Sequence, residues 1–393
     1  MTKTQFTRDQ RFMRRAIELA ERAMGESNPN PAVGCVLVRG GRIVGEGFHA
    51  RAGSPHAEAR ALAIAGSQAK GATAYVTLEP CAPNPAKRTP PCAPRLIEAG
   101  VARVVFGVRD ANPRVSGRGA RLLRAVGVRV EGGVCFAECA RLAQHFNLAM
   151  KRGRPFITLK AGMSLDGRIA TSKGQSRWIT SSVQRAAARR LRRLFDGVLI
   201  GIGTALADDP LLLPVPRTRR SFVRVVLDSR LRLPLASRLV RSARENPVIL
   251  VCSQPVEASR RALEERGVVV LSAPGRARRV SVSAALRALR AHGVMSLMVE
   301  GGSEVLGSFV SERLFDELVV FRAPILLGGR GSLSVVGGDD PVQISDALAM
   351  SPAVLERSAT LRYGLATHRP LNAEVWVPAA RSALAEVHPE RRK

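Results

Sequence analysis

Apolar residues recur at helical spacing near the start of the chain. In residues 9–25 they alternate with arginines and glutamates, which predicts an amphipathic helix. Residues 33–38 are mostly apolar and predict a buried strand, and after a Gly-Gly turn residues 42–47 predict the strand that returns. Further helices are expected over 56–66 and 92–99, and further strands over 74–78 and 101–107. This alternation indicates a layered α/β domain that closes near residue 148.

The same alternation resumes after the polar, proline-broken stretch 151–155, which we interpret as a linker. Strands are predicted at 156–160, 197–202, 224–227, 248–251, 268–271, 296–299 and 318–321, with helices at 183–195 and 283–291. We therefore expect two α/β domains, 1–150 and 151–380, followed by a basic tail, 381–393.

Charge is the unusual feature of the composition. The 393 residues carry a formal net charge of +29, which suggests nucleic acid or an anionic membrane as a partner. Only seven of the 61 basic residues are lysine, however, and the arginines are spread along the whole chain. We interpret most of this excess as background. An aromatic content of 4% also argues against a base-stacking surface.

The apolar runs are too short for a transmembrane helix, and the first residues do not resemble a signal peptide. Six scattered cysteines favour reduced thiols or metal ligands over disulfides. We therefore expect a cytoplasmic protein that is not bound to a membrane.

Three residues of the first domain form a zinc-ligand pattern. His56 and Glu58 lie in a His-x-Glu motif, and Cys81 and Cys92 each follow a proline. One imidazole and two thiolates suit tetrahedral Zn²⁺ and leave one position for water. Glu58 can face the same cavity and carry a proton from that water to a leaving amine. The combination is typical of zinc deaminases, whereas each part alone would indicate little.

The surrounding motifs resemble a known family. They are NPNPAVG at 28–34, HAE at 56–58, TLEPC at 77–81 and RTPPC at 88–92. They resemble the pyrimidine deaminase half of the bifunctional riboflavin-biosynthesis deaminase-reductases. The resemblance implies a cytidine-deaminase-like three-layer fold that removes the 2-amino group of 2,5-diamino-6-(5-phosphoribosylamino)pyrimidin-4(3H)-one. It also implies that Asn30 and His49 contact the pyrimidine and that Arg88 contacts the ribose phosphate.

The loop between the two cysteines departs from the family's usual pattern. It is two residues longer, and Ala82-Pro83 replace a Ser-His pair. Because the expected zinc ligands and Glu58 are retained, we expect the chemistry to be preserved. Because the loop is changed, the affinity for the substrate, or its identity, could differ.

Two glycine turns in the second domain follow apolar strands. Gly201 and Gly203 follow one strand, and Gly301-Gly302 follow another. Backbone N–H groups in such turns can approach a phosphate closely, and Glu300 at the strand end could orient a polar substrate. A tight turn that merely requires glycine would also explain each motif.

The wider pattern of the second domain resembles the reductase half of the same family. The stretches that carry it, in the family's order, are 160–168, 176–180, 203–210 and 227–229. The resemblance implies a dihydrofolate-reductase-like domain that uses NADPH to reduce the ribosyl side chain to ribityl. The residues it assigns to NADPH are Gly162, Trp178, Thr204, Asp208, Ser229, Gly301 and Gly302. Those it assigns to the substrate are Ser176, Arg192, Leu211 and Glu300, with Lys160 as a candidate positioned cation.

A second departure follows Asp208-Asp209-Pro210. The family usually places an arginine after a short apolar pair, but here the first arginine, Arg217, comes about two residues late. We expect Arg217 or Arg219 to reach the substrate phosphate.

Two alternatives stay open beside the riboflavin enzyme. The first is a paralogue that uses the same chemistry in a specialised antibiotic or toxin pathway, since both departures lie in substrate loops. The second is a zinc deaminase that acts on nucleic acid, which the basic composition suggests. For the main reading we expect a small phosphorylated pyrimidine as the partner, no nucleic acid, and a homo-oligomer.

Overall fold

The computed structural model describes residues 3–84, 89–339, 341–350, 354–356 and 360–364. The chain divides into two compact units, one that ends at Gly153 and one that begins at Arg154. Within the described ranges, none of the helices combines the length and apolar character needed to cross a membrane.

In its described residues the first unit contains one five-stranded sheet and six α-helices. The strands are β1 (Gly34–Arg39), β2 (Arg42–Phe48), β3 (Thr73–Leu78), β4 (Arg103–Val108) and β5 (Arg129–Gly132). The helices are α1 (Lys3–Glu21), α2 (Ala57–Ala65), α3 (Cys92–Glu98), α4 (Arg118–Ala125), α5 (Phe136–Leu142) and α6 (Gln144–Arg152). The sheet order is β2-β1-β3-β4-β5, with β1 antiparallel to β2 and β3, and β3, β4 and β5 parallel.

Side-chain alternation along the strands divides the core of this unit into two layers. Val36 and Val38 of β1 pack with apolar residues of α1 and α5. Cys35 and Leu37 point to the opposite face and pack with residues of α2, α3 and α4. Because successive side chains of a strand face opposite sides, one apolar strand serves both layers. The unit is therefore a three-layer helix–sheet–helix arrangement.

The second unit contains a nine-stranded sheet, a two-stranded sheet and six α-helices in its described part. The strands are β6 (Phe156–Met163), β7 (Arg168–Ala170), β8 (Gly197–Gly201), β9 (Val223–Leu227), β10 (Val248–Cys252), β11 (Val268–Ser272), β12 (Ser296–Val299), β13 (Glu317–Arg322), β14 (Leu333–Ser334), β15 (Val354–Glu356) and β16 (Thr360–Gly364). The helices are α7 (Ser182–Leu191), α8 (Ile202–Asp208), α9 (Arg238–Arg241), α10 (Glu257–Glu264), α11 (Val282–Ala291) and α12 (Ser303–Ser311).

The large sheet has the order β11-β10-β9-β8-β12-β6-β13-β16-β15. Its pairs are parallel from β11 to β13 and antiparallel between β13, β16 and β15. Separate apolar clusters cover its two faces, as expected for parallel strands with nearly continuous apolar sequences. The carboxyl ends of β8, β9 and β12 consequently lie side by side at one edge.

The predicted linker 151–155 is wrong for its first two residues. Lys151 and Arg152 form the last turn of α6, and Gly153 ends that helix in a left-handed conformation with a φ of 65°. Arg154 already belongs to the second unit, because its guanidinium nitrogens lie 2.8 and 2.9 Å from the Asp316 carboxylate. The basic residues suggested a loop, but they lie in the last turn of a helix, where positive charge is favourable.

A buried ion pair fastens α1 to the sheet of the first unit. The Arg103 guanidinium donates two hydrogen bonds to the Asp9 carboxylate, at 2.9 and 2.7 Å. Tyr75 also donates to Asp9, at 2.7 Å. Both charged side chains are almost completely buried. A buried charge that loses its partner cannot regain water without opening the core.

We expect Asp9→Ala to lower the free energy of unfolding of the first domain by about 3–5 kcal/mol, because it leaves Arg103 buried without this partner. Calorimetry of the thermal transition measures the effect. Glu18→Ala is the matched control, since it removes an exposed helical pair with Arg15 whose contribution is below about 1 kcal/mol. Equal shifts for the two variants would contradict the prediction.

Candidate functional site

The three expected zinc ligands lie at the ends of separate elements of the first unit. His56 immediately precedes α2, Cys92 begins α3, and Cys81 follows the carboxyl end of β3. Their ligand atoms all lie within 4.8 Å of one another. His56 Nδ1 is 3.2 Å from the Cys92 sulfur and 3.7 Å from the Cys81 sulfur. One imidazole nitrogen and two sulfurs form a donor set that suits zinc and leaves a fourth position open.

The other ring nitrogen of His56 faces a residue that the sequence analysis did not select. His56 Nε2 lies 3.2 Å from Thr89 Oγ1. A histidine that binds a metal through Nδ1 keeps its proton on Nε2, which can then donate to the Thr89 hydroxyl. Thr89 lies in the RTPPC motif, so its position beside a ligand cysteine was the available signal.

Glu58 lies in the first turn of α2, with its side chain facing the same cavity as the ligand cluster. Only 4% of the residue is exposed. Burial, with a smaller contribution from the charge of Cys81, raises the pKa of the Glu58 carboxyl. A buried carboxyl beside the metal ligands is therefore in place to exchange protons with a molecule in the cavity.

This cavity has a volume of about 450 Å³. Of the expected site residues, Asn30, His49, His56, Glu58 and Cys81 line it. His49 is held on both sides, since Nε2 lies 3.1 Å from Asn30 Nδ2 and Nδ1 lies 3.3 Å from the Pro55 carbonyl oxygen. Arg88, the expected phosphate contact, lies outside the described residues.

Asp110 and Asn112 also line the cavity and were missed. They follow the carboxyl end of β4. Because β4 pairs in parallel with β3, the loop that carries them leaves the sheet beside the loop that carries Cys81. Glu79 of the same edge accepts hydrogen bonds from the backbone N–H groups of Gly117 and Ala120, at 3.0 and 3.1 Å. The first turn of α4 is thereby tied to the loop that carries Cys81. The strand pairing, which the sequence does not state, brings these residues together.

The second unit has a larger cavity of about 1080 Å³ at the carboxyl ends of β8, β9 and β12. It contains five of the expected reductase residues: Ser176, Thr204, Asp208, Ser229 and Gly302. A Cβ on Gly302 would lie 3.6 Å from Thr204 Oγ1, an ordinary van der Waals distance, so the turns after β8 and β12 approach each other closely here. An extended ligand with phosphate groups fits such a glycine-lined cleft.

Three other residues expected to bind NADPH are not among the described residues that line this cavity: Gly162, Trp178 and Gly301. A Cβ on Gly301 would lie 2.5 Å from Val305 Cβ, so glycine here allows the β12 turn to pack on α12. Trp178 is 67% exposed, and the Arg185 guanidinium lies 4.1 Å from its ring centroid. The contacts of these residues are those of packing and surface stacking.

Glu300 is the centre of a charged cluster at the end of β12. Its carboxylate lies 2.6 Å from Arg192 Nε and 3.4 Å from Lys160 Nζ. Burial alone would raise the pKa of Glu300, but the charges of Arg192 and Lys160 outweigh it and lower the pKa to about 2. The structure thus places Arg192 and Lys160, both expected near the substrate, within ion-pair distance of the Glu300 carboxylate.

Arginines hold the segment that follows Pro210. Arg192 Nη1 donates to the Leu213 carbonyl at 3.0 Å, and Arg224 Nη1 donates to the Leu211 carbonyl at 3.2 Å. Burial, with the nearby charge of Arg217, lowers the pKa of Arg224 to about 10. Arg217 itself is exposed and is not among the described residues that line the large cavity.

Comparison with known proteins finds a matching family model for each half of the chain. The model of the cytidine and deoxycytidylate deaminase zinc-binding region matches residues 6–108, and the model of the RibD C-terminal domain matches residues 155–359. The riboflavin biosynthesis protein RibD of Aquifex aeolicus is 42% identical over 84% of this chain and 90% of its own length. That of Escherichia coli is 41% identical over 84% and 92%.

The chain belongs to the RibD family of riboflavin biosynthesis proteins.

Solved structures agree with this assignment. Acinetobacter baumannii RibD has a TM-score of 0.80 at 36% identity, covering 92% of this chain and 99% of that one. A Thermotoga maritima diaminohydroxyphosphoribosylaminopyrimidine deaminase/5-amino-6-(5-phosphoribosylamino)uracil reductase has a TM-score of 0.77 at 33% identity, with the same coverage. The expected fold, a cytidine-deaminase-like domain followed by a dihydrofolate-reductase-like domain, is confirmed. The main hypothesis, a bifunctional deaminase and reductase of riboflavin biosynthesis, is also confirmed, and neither alternative is favoured.

The Glu300 cluster predicts a pH dependence of stability. The lowered pKa means that the ionised carboxylate stabilises the fold fully above about pH 4.5, and that this contribution is lost as the pH falls toward about 2. We therefore expect Glu300→Gln to destabilise the second domain at pH 7, and the difference from wild type to shrink as the pH falls below about 4.5. Urea unfolding of both proteins at several pH values measures it. A difference that stays constant with pH would contradict the assignment.

Proposed function

We propose that the first domain deaminates 2,5-diamino-6-(5-phosphoribosylamino)pyrimidin-4(3H)-one at the cavity that holds His56, Cys81, Cys92 and Glu58. The observation that carries this proposal is the convergence of one imidazole and two thiol groups beside a buried carboxyl. When bound by these three residues, zinc lowers the pKa of water so that a nucleophile is available near neutral pH.

Glu58 performs the proton transfers. It accepts a proton from water as the oxygen bonds to the ring carbon that carries the 2-amino group, and the π electrons of the adjacent ring C=N bond move to the ring nitrogen until ammonia leaves. It then delivers a proton to that amino group, whose C–N bond breaks to release ammonia. Asn30 and His49 orient the pyrimidine in the cavity, where their hydrogen bond to each other fixes both side chains. Arg88 is proposed to contact the ribose phosphate.

We propose that the second domain then reduces the ribosyl side chain to ribityl. NADPH supplies the hydride. Thr204, Asp208, Ser229 and Gly302 line the cleft that we assign to the coenzyme. The substrate's polar groups contact Glu300, Arg192 and Lys160. Ser176 and Leu211 are proposed as further substrate contacts by family resemblance. Gly162, Trp178 and Gly301 remain proposed coenzyme residues by family resemblance, and Arg217 a proposed phosphate contact.

We propose further that residues 1–150 and 151–380 act as the two catalytic domains of a cytoplasmic homo-oligomer that assembles through the reductase domain. The proposal rests on the family resemblance. Light scattering of the purified protein tests the oligomer, which a monomeric mass would exclude.

Incubation with the diaminopyrimidinone ribotide, with and without NADPH, tests both steps by the masses of the products. We expect the deaminated ribosyl compound without NADPH and the ribityl compound with it. Glu58→Gln keeps the side-chain shape but cannot carry the proton, so deamination should slow by about 10²–10⁴-fold. Reduction of substrate supplied already deaminated should continue at the wild-type rate.

Glu98→Gln, an exposed change in the same domain, is the control and should retain both activities. Deamination by Glu58→Gln at the wild-type rate would refute the proposed role of Glu58. Failure of the wild-type enzyme to convert the ribotide at all would instead indicate a different pyrimidine substrate.

Thr89 provides a second prediction. Because His56 Nε2 has the Thr89 hydroxyl as a partner, Thr89→Val should lower zinc affinity by about 10–100-fold, while Thr89→Ser retains it. Competition with a chromophoric chelator measures the affinity without any assay of activity. Equal zinc affinity for the valine and serine variants would show that this hydrogen bond does not orient the ligand.

A further inference from the structure

The last helix of the first unit, α6, lies beside the cavity that contains Glu58. Phe146 of this helix is one of the residues that line the cavity. The next residue, Asn147, is only 9% exposed, and its side-chain oxygen accepts a hydrogen bond from the Ala111 backbone N–H at 3.3 Å. Helix α6 therefore reaches the cavity directly and also binds the loop that joins β4 to α4.

This β4–α4 loop contributes to the site at both of its ends. At the end that follows β4, the side chains of Asp110 and Asn112 line the cavity. Near the end that leads into α4, Val115 is fully buried and packs with the two expected zinc-ligand residues, Cys81 and Cys92. One end of the loop thus faces the space for a substrate, and the other end supports the expected metal ligands.

Different partners fasten the two ends of the loop. The Glu79 carboxylate binds backbone N–H groups at the start of α4 and so fixes the end that packs on the cysteines. At the other end, the Asp110 carboxylate accepts from the Asn112 backbone N–H at 2.8 Å, which makes these two residues one unit. Ala111 lies between them, and its N–H is the group that Asn147 binds. Asn147 therefore connects the cavity-facing end of the loop to α6.

We propose that Asn147 is a positioning residue of the deaminase domain, because it holds Ala111 so that Asp110 and Asn112 face the pyrimidine substrate. This inference rests on the proposed function of the first domain. A hydrogen bond is directional, so the Asn147 oxygen sets both the orientation of this backbone and its distance from α6. A displaced loop loses contacts that substrate and transition state share, and such a loss raises KM while kcat stays nearly constant.

Two substitutions in the full-length, zinc-loaded protein test the role of Asn147. Asn147→Leu has a similar size but no acceptor, so KM for the diaminopyrimidinone ribotide should rise about tenfold, with kcat changed less than about twofold. Asn147→Asp keeps an acceptor oxygen, and its KM should stay within about threefold of the wild-type value. Zinc affinity should be unchanged in both variants, because Glu79 fixes the end of the loop that packs on the cysteines. Competition with a chromophoric chelator measures it.

Hydrogen exchange provides a readout that needs no substrate. Peptides that contain Ala111 should exchange faster in Asn147→Leu than in the wild type or in Asn147→Asp, because only the leucine variant leaves that N–H without its acceptor. Lys151→Ala is the matched control, since it changes an exposed residue of the same helix. Its exchange, KM and zinc affinity should equal those of the wild type.

An unchanged KM in Asn147→Leu would overturn the inference. Equally raised KM values in the leucine and aspartate variants would also overturn it, because the hydrogen bond would then not be the cause. A loss of zinc affinity in Asn147→Leu would assign the residue to the metal site instead. A wild-type protein that does not convert the ribotide would overturn the proposed deaminase function. Unchanged exchange at Ala111 in Asn147→Leu would overturn the role of Asn147 whether or not the ribotide is converted.

Discussion

Parallel pairing of neighbouring strands brings their carboxyl ends to a shared edge of each sheet, and both candidate sites depend on this constraint. In the first domain β3 and β4 pair in parallel, so the loops with Cys81 and Asp110 leave the sheet side by side. In the second domain β8, β9 and β12 do the same for Thr204, Ser229 and Gly302. A strand that reversed direction would carry its loop to the opposite edge.

Local backbone geometry then completes the candidate metal site. His56 precedes α2 and Cys92 begins α3, so each ligand belongs to the first turn of a helix whose apolar side is packed on the sheet. The sheet and these helices form one core, and the ligands inherit its rigidity. Glu79 extends this support by tying the first turn of α4 to the Cys81 loop.

Several of the many arginines form buried ion pairs and hydrogen bonds, which the composition alone did not reveal. Arg103 binds Asp9, Arg154 binds Asp316, and Arg192 binds Glu300, all with little exposure. Arg224 is buried without a carboxylate and donates instead to the Leu211 and Ser242 carbonyls. A guanidinium group can be buried in this way because its several fixed N–H donors bind carbonyl and carboxylate oxygens at the same time. Part of the basic composition is thus structural, and part lines the large cavity of the second unit.

The sequence by itself determined the parts that depend on local order. Strand and helix periodicity predicted the two α/β domains. The spaced motifs selected three residues that converge as a possible metal site, Glu58 beside them, and four of the residues expected to bind NADPH that line the large cavity of the second unit. It also misassigned Lys151 and Arg152 to a linker, because charge alone does not distinguish a loop from the polar side of a helix.

Tertiary structure decided which distant residues meet. Three contacts bridge segments that share no sequence pattern. Thr89 lies beside His56 Nε2, Asp110 lies in the cavity beside Cys81, and a hydrogen bond to Ser229 joins the loops that carry Arg232 and Arg279. Helical and strand periodicity report only the residues within an element. Strand order and the course of each loop arise from packing between elements, so the chemistry that forms where loops converge becomes visible only in the folded chain.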